Sequence, residues 1–458
     1  MSTTASLAAR LEGTIGRHRV VSSEEELAEY VVDGIVPGAI VKPHSAEEAR
    51  EVMRFAAADK LALIPVGSRS KCDIGMPPAR YDIALDMTGM REIAHYDAGD
   101  LTLSVDAGTP LRQLEHVLAE SQQFLPLAVP CFESSTVGGA IASGIDSVLR
   151  QQYGTARDFL IGAEFVDGKG NICKSGGRVV KNVTGYDLHK LLIGSLGTIG
   201  VITRLNFRTF PLAAAYGGHV ASFESAERAL AFRNAVEASG LPVANLEFLS
   251  PRTAAITKAI LEKEDRPVPG CVEGSSWAVY ASFEGNERVV ERVAQDVERL
   301  ARDAGARQDE PLDAGSDAQL GGALREAFEW LRWAAPAVAL FRITMPRILP
   351  QSLAALSRPE DSLRRALLVR AGGVVYFSVM GDSEDEETIA AFETMAKDIF
   401  ALAAEKQGQA TLLHAPLGLK KRLSVWGLAR GDFSLMKKVK QAFDPDGIFA
   451  PRRYVGGL

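Results

Sequence analysis

The sequence predicts an α+β fold with a ferredoxin-like cap, and three observations lead to this prediction. A β-α-β pattern covers residues 39–65, a strand-rich and glycine-rich stretch covers residues 66–210, and strand–helix–strand units follow between about 215 and 410. A chain of 458 residues is long enough for two or three domains with buried cores. We therefore expect an N-terminal part rich in strands and a C-terminal part made of two similar halves.

The β-α-β pattern comes from two short apolar runs on either side of a helix. We expect strands at Ala39–Val41 and Leu61–Pro65. Between them, Ser45 opens a helix, and Glu48 completes a capping box with it. In the glycine-rich stretch, β-branched or alternating runs predict further strands at Asp82–Leu85, Leu101–Asp106, Leu160–Val166 and Gly200–Phe207.

The C-terminal part alternates strands with amphipathic helices, which predicts two β-α-β halves across one antiparallel sheet. The expected strands are Gly218–Phe223, Asn245–Leu249, Trp277–Phe283, Gly373–Met380 and Thr411–Leu413, and the expected helices are Ala226–Ser239, Glu287–Ala304 and Glu386–Lys406. Asp303–Gln319 is rich in Asp, Gly and Ala, and it predicts a loop. A last helix is expected at Ser434–Phe443.

Charge and cysteine usage exclude several classes of function. The formal net charge of −7 gives no overall attraction for nucleic acid or an anionic membrane. The four cysteines are too far apart in sequence for an iron–sulfur cluster or a structural zinc. The longest apolar stretch, Trp333–Phe341, is far shorter than the ~20 residues that span a bilayer, and no secretory signal is visible. We therefore expect a cytoplasmic protein that does not insert into a membrane.

Three runs of small residues are candidate ligand sites: the first run is Pro65–Lys71, the second is Ser135–Gly144, and the third is Gly194–Thr203. Small residues in series let consecutive amide N–H groups point into one concavity, where they can hold an anion such as a diphosphate. The structural alternatives are a plain turn for the first run and tight helix–strand packing for the second.

Common nucleotide motifs are absent from the sequence. No GxGxxG follows a strand in a β-α-β unit, so a Rossmann site is not expected. Gly139 and Gly144 have the Walker A spacing, but Ile145 and Asp146 stand where Lys and Ser or Thr are needed. A P-loop is therefore excluded.

The order of motifs along the chain resembles the vanillyl-alcohol oxidase / p-cresol methylhydroxylase superfamily of flavoproteins, and within it the FAD-binding subunits of bacterial glycolate oxidases. The motifs that carry this resemblance are Asp33–Pro37, Gly67–Lys71, Thr136–Gly139, Tyr153–Gly154, Lys181–Asp187, Gly194–Thr203 and Phe443–Phe449. The resemblance implies a p-cresol methylhydroxylase-type FAD-binding domain at residues 1–212, with subdomains 1–105 and 106–212, a cap at 213–425 and a tail at 426–458 that returns to the first domain.

The resemblance also implies which residues hold FAD. The expected contacts are Pro65, Gly67, Ser68, Arg69, Ser70, Lys71, Thr136, Gly138, Gly139, Ser143, Gly144, Ile199, Gly200 and Val201. Relatives with covalent flavin often carry a His in the first run, whereas this chain has none there, and the spacing of Cys131 does not fit the cysteinyl relatives. We therefore expect non-covalent FAD. The tail departs from the usual family pattern, but Arg453 could supply positive charge near the flavin.

The catalytic residues are not determined by the sequence. Metal-using relatives carry a His-x-Gly-Asp-Gly-Asn-x-His type of stretch in the cap, and the nearest equivalents here are His414–Gly418 and Arg430–Asp432. We expect no metal site, and His414 and Arg453 are weak catalytic candidates. A lone His after a strand is often structural.

Three functions remain open at this point. The chain is a companion FAD subunit that acts beside a catalytic flavoprotein subunit and an iron–sulfur subunit, a stand-alone FAD-dependent dehydrogenase for a small 2-hydroxy acid such as D-lactate, or an assembly subunit without flavin. The missing metal motif favours the companion subunit. Any association with the inner face of a membrane would come through these partners.

Overall fold

The computed structural model describes residues 3–178, 185–274, 276–346, 348, 351–352, 356, 363–428 and 431–458. Two motif segments of the sequence analysis, Lys181–Thr184 and Arg430, lie outside the described residues. Four β-sheets, with four, five, two and eight strands, organise the described part of the chain.

The first sheet carries the N-terminal β-α-β unit. It has the order β1-β2-β4-β3, in which β2 and β3 both run parallel to β4. The elements are α1 (Thr3–Ile15), β1 (Val20–Val21), α2 (Glu24–Ala28), β2 (Ala39–Val41), α3 (Ala46–Asp59), β3 (Leu63–Val66) and β4 (Ile83–Asp86). The apolar face of α3 packs on this sheet. Phe449, in the C-terminal tail, forms a parallel bridge with Leu63 of β3.

The start of α3 differs from the predicted capping box. Ser45 Oγ accepts a hydrogen bond from the amide of Glu48, as predicted. The carboxylate of Glu48, however, accepts from the amide of His44 at 2.7 Å rather than from that of Ser45. The second hydrogen bond of the predicted capping box therefore forms with the amide one residue earlier than expected. The extended backbone before the helix turns the His44 amide toward the first turn.

The second sheet is antiparallel and has the order β5-β6-β10-β8-β9. Helices α4 and α5 contribute to its core with their apolar faces. The elements are β5 (Ile93–Asp97), β6 (Thr102–Asp106), α4 (Leu111–Glu120), β7 (Gln123–Phe124), α5 (Val137–Ser143), α6 (Arg150–Tyr153), α7 (Ala156–Phe159), β8 (Leu160–Val166), β9 (Ile172–Gly176), β10 (Val201–Arg208) and β11 (Phe210–Pro211). Strands β7 and β11 pair as the two-stranded sheet.

The cap is an eight-stranded antiparallel sheet with the order β15-β12-β14-β13-β17-β18-β16-β19. Helices α8, α10 and α12 cover one face, and α9 and α11 cover the other. The elements are β12 (Ala215–Phe223), α8 (Ala226–Ala238), β13 (Val243–Leu249), α9 (Pro251–Lys263), β14 (Trp277–Gly285), α10 (Glu287–Asp303), β15 (Gln308–Leu312), α11 (Ala314–Trp333), β16 (Ala337–Thr344), β17 (Arg364–Arg370), β18 (Val374–Gly381), α12 (Glu386–Glu405), β19 (Gln409–His414) and α13 (Leu417–Lys420). Helix α14 (Phe433–Phe443) follows in the C-terminal tail.

The predicted loop at Asp303–Gln319 was wrong. It contains strand β15, which pairs with β12 at the edge of the sheet, and the start of α11. The side chain of Asp313 caps α11 by accepting from the amide of Ser316 at 2.7 Å. The strand residues are polar because most of them are exposed at this edge, so they carry no alternating apolar signal.

Asp146 connects the cap to the N-terminal part of the chain. Arg342 Nη2 lies 2.6 Å from its carboxylate, Arg150 forms a second ion pair with it, and the Tyr376 hydroxyl lies 3.4 Å away. Burial alone raises the pKa of Asp146, but the charges of Arg342 and Arg150 outweigh it and hold the pKa below its usual range. Ile74, Ile145 and Leu196, which lie in or next to the three small-residue runs, pack into the core on the face of the cap covered by α9 and α11.

Within the described residues, no helix combines the length and the apolar character needed to cross a membrane.

Candidate functional site

The three small-residue runs meet in space, and their glycines are what allows the contact. A Cβ on Gly67 would lie 2.2 Å from Thr136 Oγ1, which joins the first run to the second. A Cβ on Gly144 would lie 2.7 Å from the Cα of Gly194, which joins the second run to the third. Both distances are too short for any side chain. The sequence prediction that these runs come together is thus met by the geometry.

A narrow cavity of about 50 Å³ lies where the runs converge. Six of the residues expected to hold the cofactor line it. They are Pro65, Gly67, Thr136, Gly138, Gly139 and Gly200. The remaining lining residues are small or apolar, so this point is a main-chain surface rather than a side-chain pocket.

The first run carries the feature that best fits a diphosphate. The amide N–H groups of Ser68, Arg69, Ser70 and Lys71 donate to no acceptor in the described part of the chain. Arg69 has a φ of 65°, and a left-handed residue in such a loop turns successive amides into one concavity. Unused amide donors in a glycine-containing loop are the kind of group that can hold an anion such as a diphosphate.

The side chain of Arg69, unlike its amide, is occupied by contacts with Tyr30 and Glu29. Its guanidinium lies 4.2 Å from the centre of the Tyr30 ring and 3.3 Å from a carboxylate oxygen of Glu29. Left-handed conformation costs a residue with a Cβ about 1–2 kcal/mol, and a cation–π contact returns about 0.5–1 kcal/mol. The contact with Tyr30 therefore explains how Arg is tolerated at a position suited to Gly.

The second run contributes differently from what we expected. The amide of Gly138 donates to Ala107 O at 2.7 Å, and that of Gly139 donates to Thr136 Oγ1 at 3.2 Å. These amides are already used because Thr136 caps α5 and the helix start pairs with the loop after β6. Gly138 and Gly139 therefore supply a low wall, not free donors.

The end of the second run and the third run mainly supply packing. Ser143 Oγ donates to Ala140 O, and Gly144 ends α5 with a φ of 61°. Ile199 packs against the core of the second sheet, and the side chain of Val201 is fully buried in the core of the first sheet. Val201 can therefore reach a ligand with its backbone alone.

Lys71 places a charge at the end of the first run. Its ammonium donates to Ser135 Oγ and lies 3.2 Å from Ser70 Oγ. Burial lowers the pKa of Lys71 to about 8. An anionic ligand group next to it would raise this pKa again, so Lys71 is a candidate partner for a phosphate or for the flavin ring.

Arg453 and Cys131 lie next to the first run and support it. Arg453 is 3% exposed, and its Nη2 donates to Cys72 O at 2.6 Å and to Ile74 O at 2.5 Å. It therefore fixes the segment that follows the first run. Cys131 is buried beside the first run, and burial raises the pKa of its thiol, which disfavours the reactive thiolate.

A polar cluster, which the sequence did not reveal, joins the first run to the cap. His414 Nδ1 lies 2.6 Å from Asp73 Oδ2, and Arg332 Nη2 lies 2.6 Å from Asp73 Oδ1. Burial raises the pKa of Asp73, but the hydrogen bond from His414 and the charges of Arg332 and Lys420 hold it well below its usual range. Trp333, whose ring lies edge-on to His414 at 5.0 Å between centroids, is 65% exposed.

Asp73 and Arg332 were missed because their signals are weak. Asp73 follows the first run by two positions, where a polar residue is ordinary for a loop. Arg332 lies in the last turn of helix α11, which the sequence did not predict. The tertiary fold alone brings Arg332 and His414 to Asp73. Among the described residues, no group of three or more His, Cys, Asp or Glu is placed to hold a metal ion.

Family comparisons identify both halves of the chain. Residues 37–176 match the FAD binding domain family, and residues 219–454 match the C-terminal domain of FAD linked oxidases. The expected cofactor, FAD, and the expected fold class are thus confirmed.

Several curated proteins are similar in sequence. Glycolate oxidase subunit GlcD of Bacillus subtilis (strain 168) is 24% identical over 421 residues, which cover 91% of this chain and 88% of that protein. Glycolate oxidase subunit GlcE of Escherichia coli (strain K12) is 37% identical over 162 residues, 35% of this chain and 46% of that protein. D-lactate dehydrogenase of Archaeoglobus fulgidus is 27% identical over 429 residues, 92% and 91% of the two chains.

Solved structures show the same fold. The 4-ethylphenol oxidase from Gulosibacter chungangensis superposes with a TM-score of 0.76 at 15% identity, and p-cresol methylhydroxylase with a TM-score of 0.75 at 16% identity. Each match covers 98% of this chain and 96% of the other. Likeness at this identity carries over the fold and not the substrate.

Proposed function

This chain belongs to the FAD-linked oxidase family, and we propose that it is the FAD-binding companion subunit of a glycolate oxidase-like complex, which oxidises a small 2-hydroxy acid to the 2-oxo acid. Its partners are a catalytic flavoprotein subunit and an iron–sulfur subunit. It works in the cytoplasm and reaches the inner face of a membrane through them. FAD binds non-covalently to residues 1–212, residues 213–425 form the cap, and residues 426–458 form the tail.

The observation that carries the proposal is the set of four unused amides in the first run. Backbone dipoles that the fold already holds in place replace the hydration of a diphosphate without reorganisation. No His stands in this run, and the buried thiol of Cys131 is poorly suited to form a thioether, which supports non-covalent binding. The similarity to two different glycolate oxidase subunits supports the place in a complex.

The polar cluster around Asp73 favours a second candidate, a stand-alone dehydrogenase. FAD, when bound, accepts the α-hydrogen of a 2-hydroxy acid together with its electron pair. Asp73 accepts the Nδ1 proton of His414, which leaves the Nε2 lone pair to take the proton of the substrate hydroxyl. Arg332 Nε, buried and without a hydrogen-bond acceptor in the described part of the chain, would hold the substrate carboxylate.

Flavin content and reduction distinguish the candidates. We expect purified chain to be yellow and to release its flavin into the supernatant on acid precipitation. For the companion subunit, glycolate or D-lactate leaves the flavin oxidised in the isolated chain and reduces it once the two partner subunits are added. Reduction in the isolated chain establishes the stand-alone enzyme. A colourless chain that cannot be reconstituted with FAD overturns both and leaves an assembly subunit.

Substitution of His414 tests the chemical role of the Asp73 cluster. If His414 is the base, His414→Gln lowers the rate of flavin reduction by about 10²–10⁴-fold and leaves FAD content unchanged. His116→Gln, on the exposed face of α4, is the matched control and keeps the full rate. An unchanged rate in H414Q would make the His414–Asp73 pair a structural contact between cap and loop.

A further inference from the structure

A second cavity, of about 540 Å³, lies between helices α4 and α11, and we name it the α4–α11 cavity. Its volume is within the range of about 300–1,000 Å³ typical of small-molecule sites. Most of its wall is apolar and includes Leu111, Leu114, Leu118, Leu127 and Phe132. None of its lining residues belongs to the three runs or to the Asp73 cluster, so the proposed function does not explain it.

One end of the α4–α11 cavity contains two carboxylates, of which Asp317 is buried and Glu284 is half-buried. Asp317 is 6% exposed, and it accepts hydrogen bonds from the Tyr280 hydroxyl at 2.8 Å and from Ser282 Oγ at 2.9 Å. Glu284, on the same strand as Ser282, accepts from the Tyr153 hydroxyl. A Cβ on Gly218 would lie 2.1 Å from Asp317 Oδ1, so the fold makes room for this carboxylate.

These carboxylates have no cationic partner among the described residues. Their hydrogen bonds come from hydroxyl groups and an amide, and no Lys, Arg or His forms an ion pair with either. Burial consequently raises the pKa of Asp317 to about 7, and it raises the pKa of Glu284 as well. A buried carboxylate in this situation either takes up a proton or binds a cation.

Asn245 gives an independent indication of a ligand. It is 2% exposed, it lines the cavity, and its side-chain oxygen has no donor in the described part of the chain. It lies directly opposite Ser282 in the pairing of β13 with β14, so its oxygen and the carboxylate of Asp317 belong to the same end of the cavity. Buried polar atoms are almost always paired in folded proteins. The partner needed here is a hydrogen-bond donor.

We propose that the α4–α11 cavity binds an organic ammonium ion with an apolar body, whose head group donates to Asn245, Asp317 and Glu284. The largely apolar wall suits a hydrocarbon chain and not a hydrated metal ion. Arg325 stands eight positions after Asp317 on α11, about 12 Å along the helix, and its guanidinium stacks on the Phe132 ring at 4.5 Å. The ammonium end is therefore separated from the one cation that we identify in the lining.

A ligand series of constant chain length tests the head group. The FAD-loaded full chain is titrated calorimetrically at pH 8, above the pKa of Asp317, with n-octylamine, 1-octanol and octanoate. We expect octylamine to bind most tightly, octanol more weakly and octanoate least, because the two carboxylates attract an ammonium and repel a carboxylate. Equal or tighter binding of octanoate overturns the proposal, as does the absence of binding by all three.

Variants locate the binding. Asp317→Asn keeps the size of the side chain and should weaken octylamine by about thirtyfold or more while it leaves octanol nearly unchanged. Asp303→Asn, on the exposed end of α10, is the matched control and should change nothing. Ala128→Leu adds three carbons to the apolar wall and should weaken all bound ligands.

The titrations still test the proposal if D317N does not fold. Glu284→Gln then replaces it, with the same expected loss for octylamine and none for octanol. Octylamine affinity that is unchanged in E284Q and in A128L would place its binding elsewhere on the protein and would contradict the proposal. Retained flavin absorbance and a single cooperative unfolding transition show that each variant is intact.

Discussion

The first run presents amide donors without acceptors, and the polar end of the α4–α11 cavity presents carboxylates without a cation. The two regions therefore offer unmatched polar groups from different parts of the chain. The first run presents main-chain donors, which nearly any small residue would supply at those backbone angles. The cavity presents side-chain acceptors from Asp317, Glu284 and Asn245, which come from three separate elements. A main-chain site is thus specified locally by residue size, whereas a side-chain site is specified by tertiary contacts.

The strongest test of the main-chain site is to add a side chain where the runs touch. Gly67→Val should abolish FAD binding, because even the Cβ would lie 2.2 Å from Thr136 Oγ1, and the branched side chain would force the two runs apart. Visible flavin absorbance per protein, before and after incubation with FAD, measures the effect. Gly13→Ala, at an open position of α1, should keep full flavin. A G67V protein with full flavin would show that the runs need not touch.

The side-chain site should be visible in the pH dependence of stability. Burial raises the pKa of Asp317 from its ordinary value of 3.8 to about 7 in the folded protein, so unfolding releases its proton at pH values between these two. Its contribution therefore lowers the free energy of unfolding as pH rises from about 4 to about 7, by roughly 4 kcal/mol at most. In urea unfolding across this range, the difference between wild type and Asp317→Asn should grow with pH, with D317N the more stable above pH 7. A constant difference would contradict the burial of an unpaired carboxylate.

Lys71 is the side chain that complements the main-chain site, and its loss should have a smaller effect. Lys71→Met should weaken FAD binding by about ten- to a hundredfold, because the loss of one charge-assisted hydrogen bond changes the dissociation constant by about that factor. Since burial lowers the pKa of Lys71 to about 8 in the free protein, wild-type affinity should fall as pH rises above 8. Fluorescence titration of the apoprotein with FAD measures the affinity of each protein at each pH. The affinity of K71M should not fall as pH rises above 8. A decline of the same size in K71M would assign it to another group.

The smallest effect is expected at Arg69. Arg69→Gly relieves the left-handed backbone but removes the contact with Tyr30, so the free energy of unfolding should change by no more than about 1 kcal/mol. FAD content should not change, because the amide at position 69 is retained. Flavin analysis and urea unfolding of the same sample measure the two quantities. Loss of flavin in R69G would show that the guanidinium, and not the amide, holds the ligand.

Much of the fold was predictable because its signals are local. The strand at Leu160–Val166 has the predicted bounds, and several other strands and helices differ from prediction by one or a few residues at their ends. Strand β15 was missed because an edge strand with exposed polar residues has no apolar alternation. The start of α11 was missed because small residues there suggested a loop, although its buried face packs on the cap sheet.

The candidate site also has features that the sequence predicted and features that it did not. Close packing of Gly67, Gly138 and Gly144 follows from residue size, and the sequence indicated it. The hydrogen bond that occupies the amide of Gly138 depends on Ala107, about thirty residues earlier in the chain. The contact between Asp73 and Arg332 joins loop and cap across more than two hundred residues. No local pattern could report either of them.

The sequence by itself determined the α+β fold, the family and the three runs that a diphosphate requires, because strand periodicity and small-residue runs are properties of neighbouring residues. Tertiary structure alone decided which amides remain free, which carboxylates are buried without a cation, and where an arginine from the cap meets the first run. These outcomes depend on burial and on distances between remote segments, and such quantities exist only once the chain has folded.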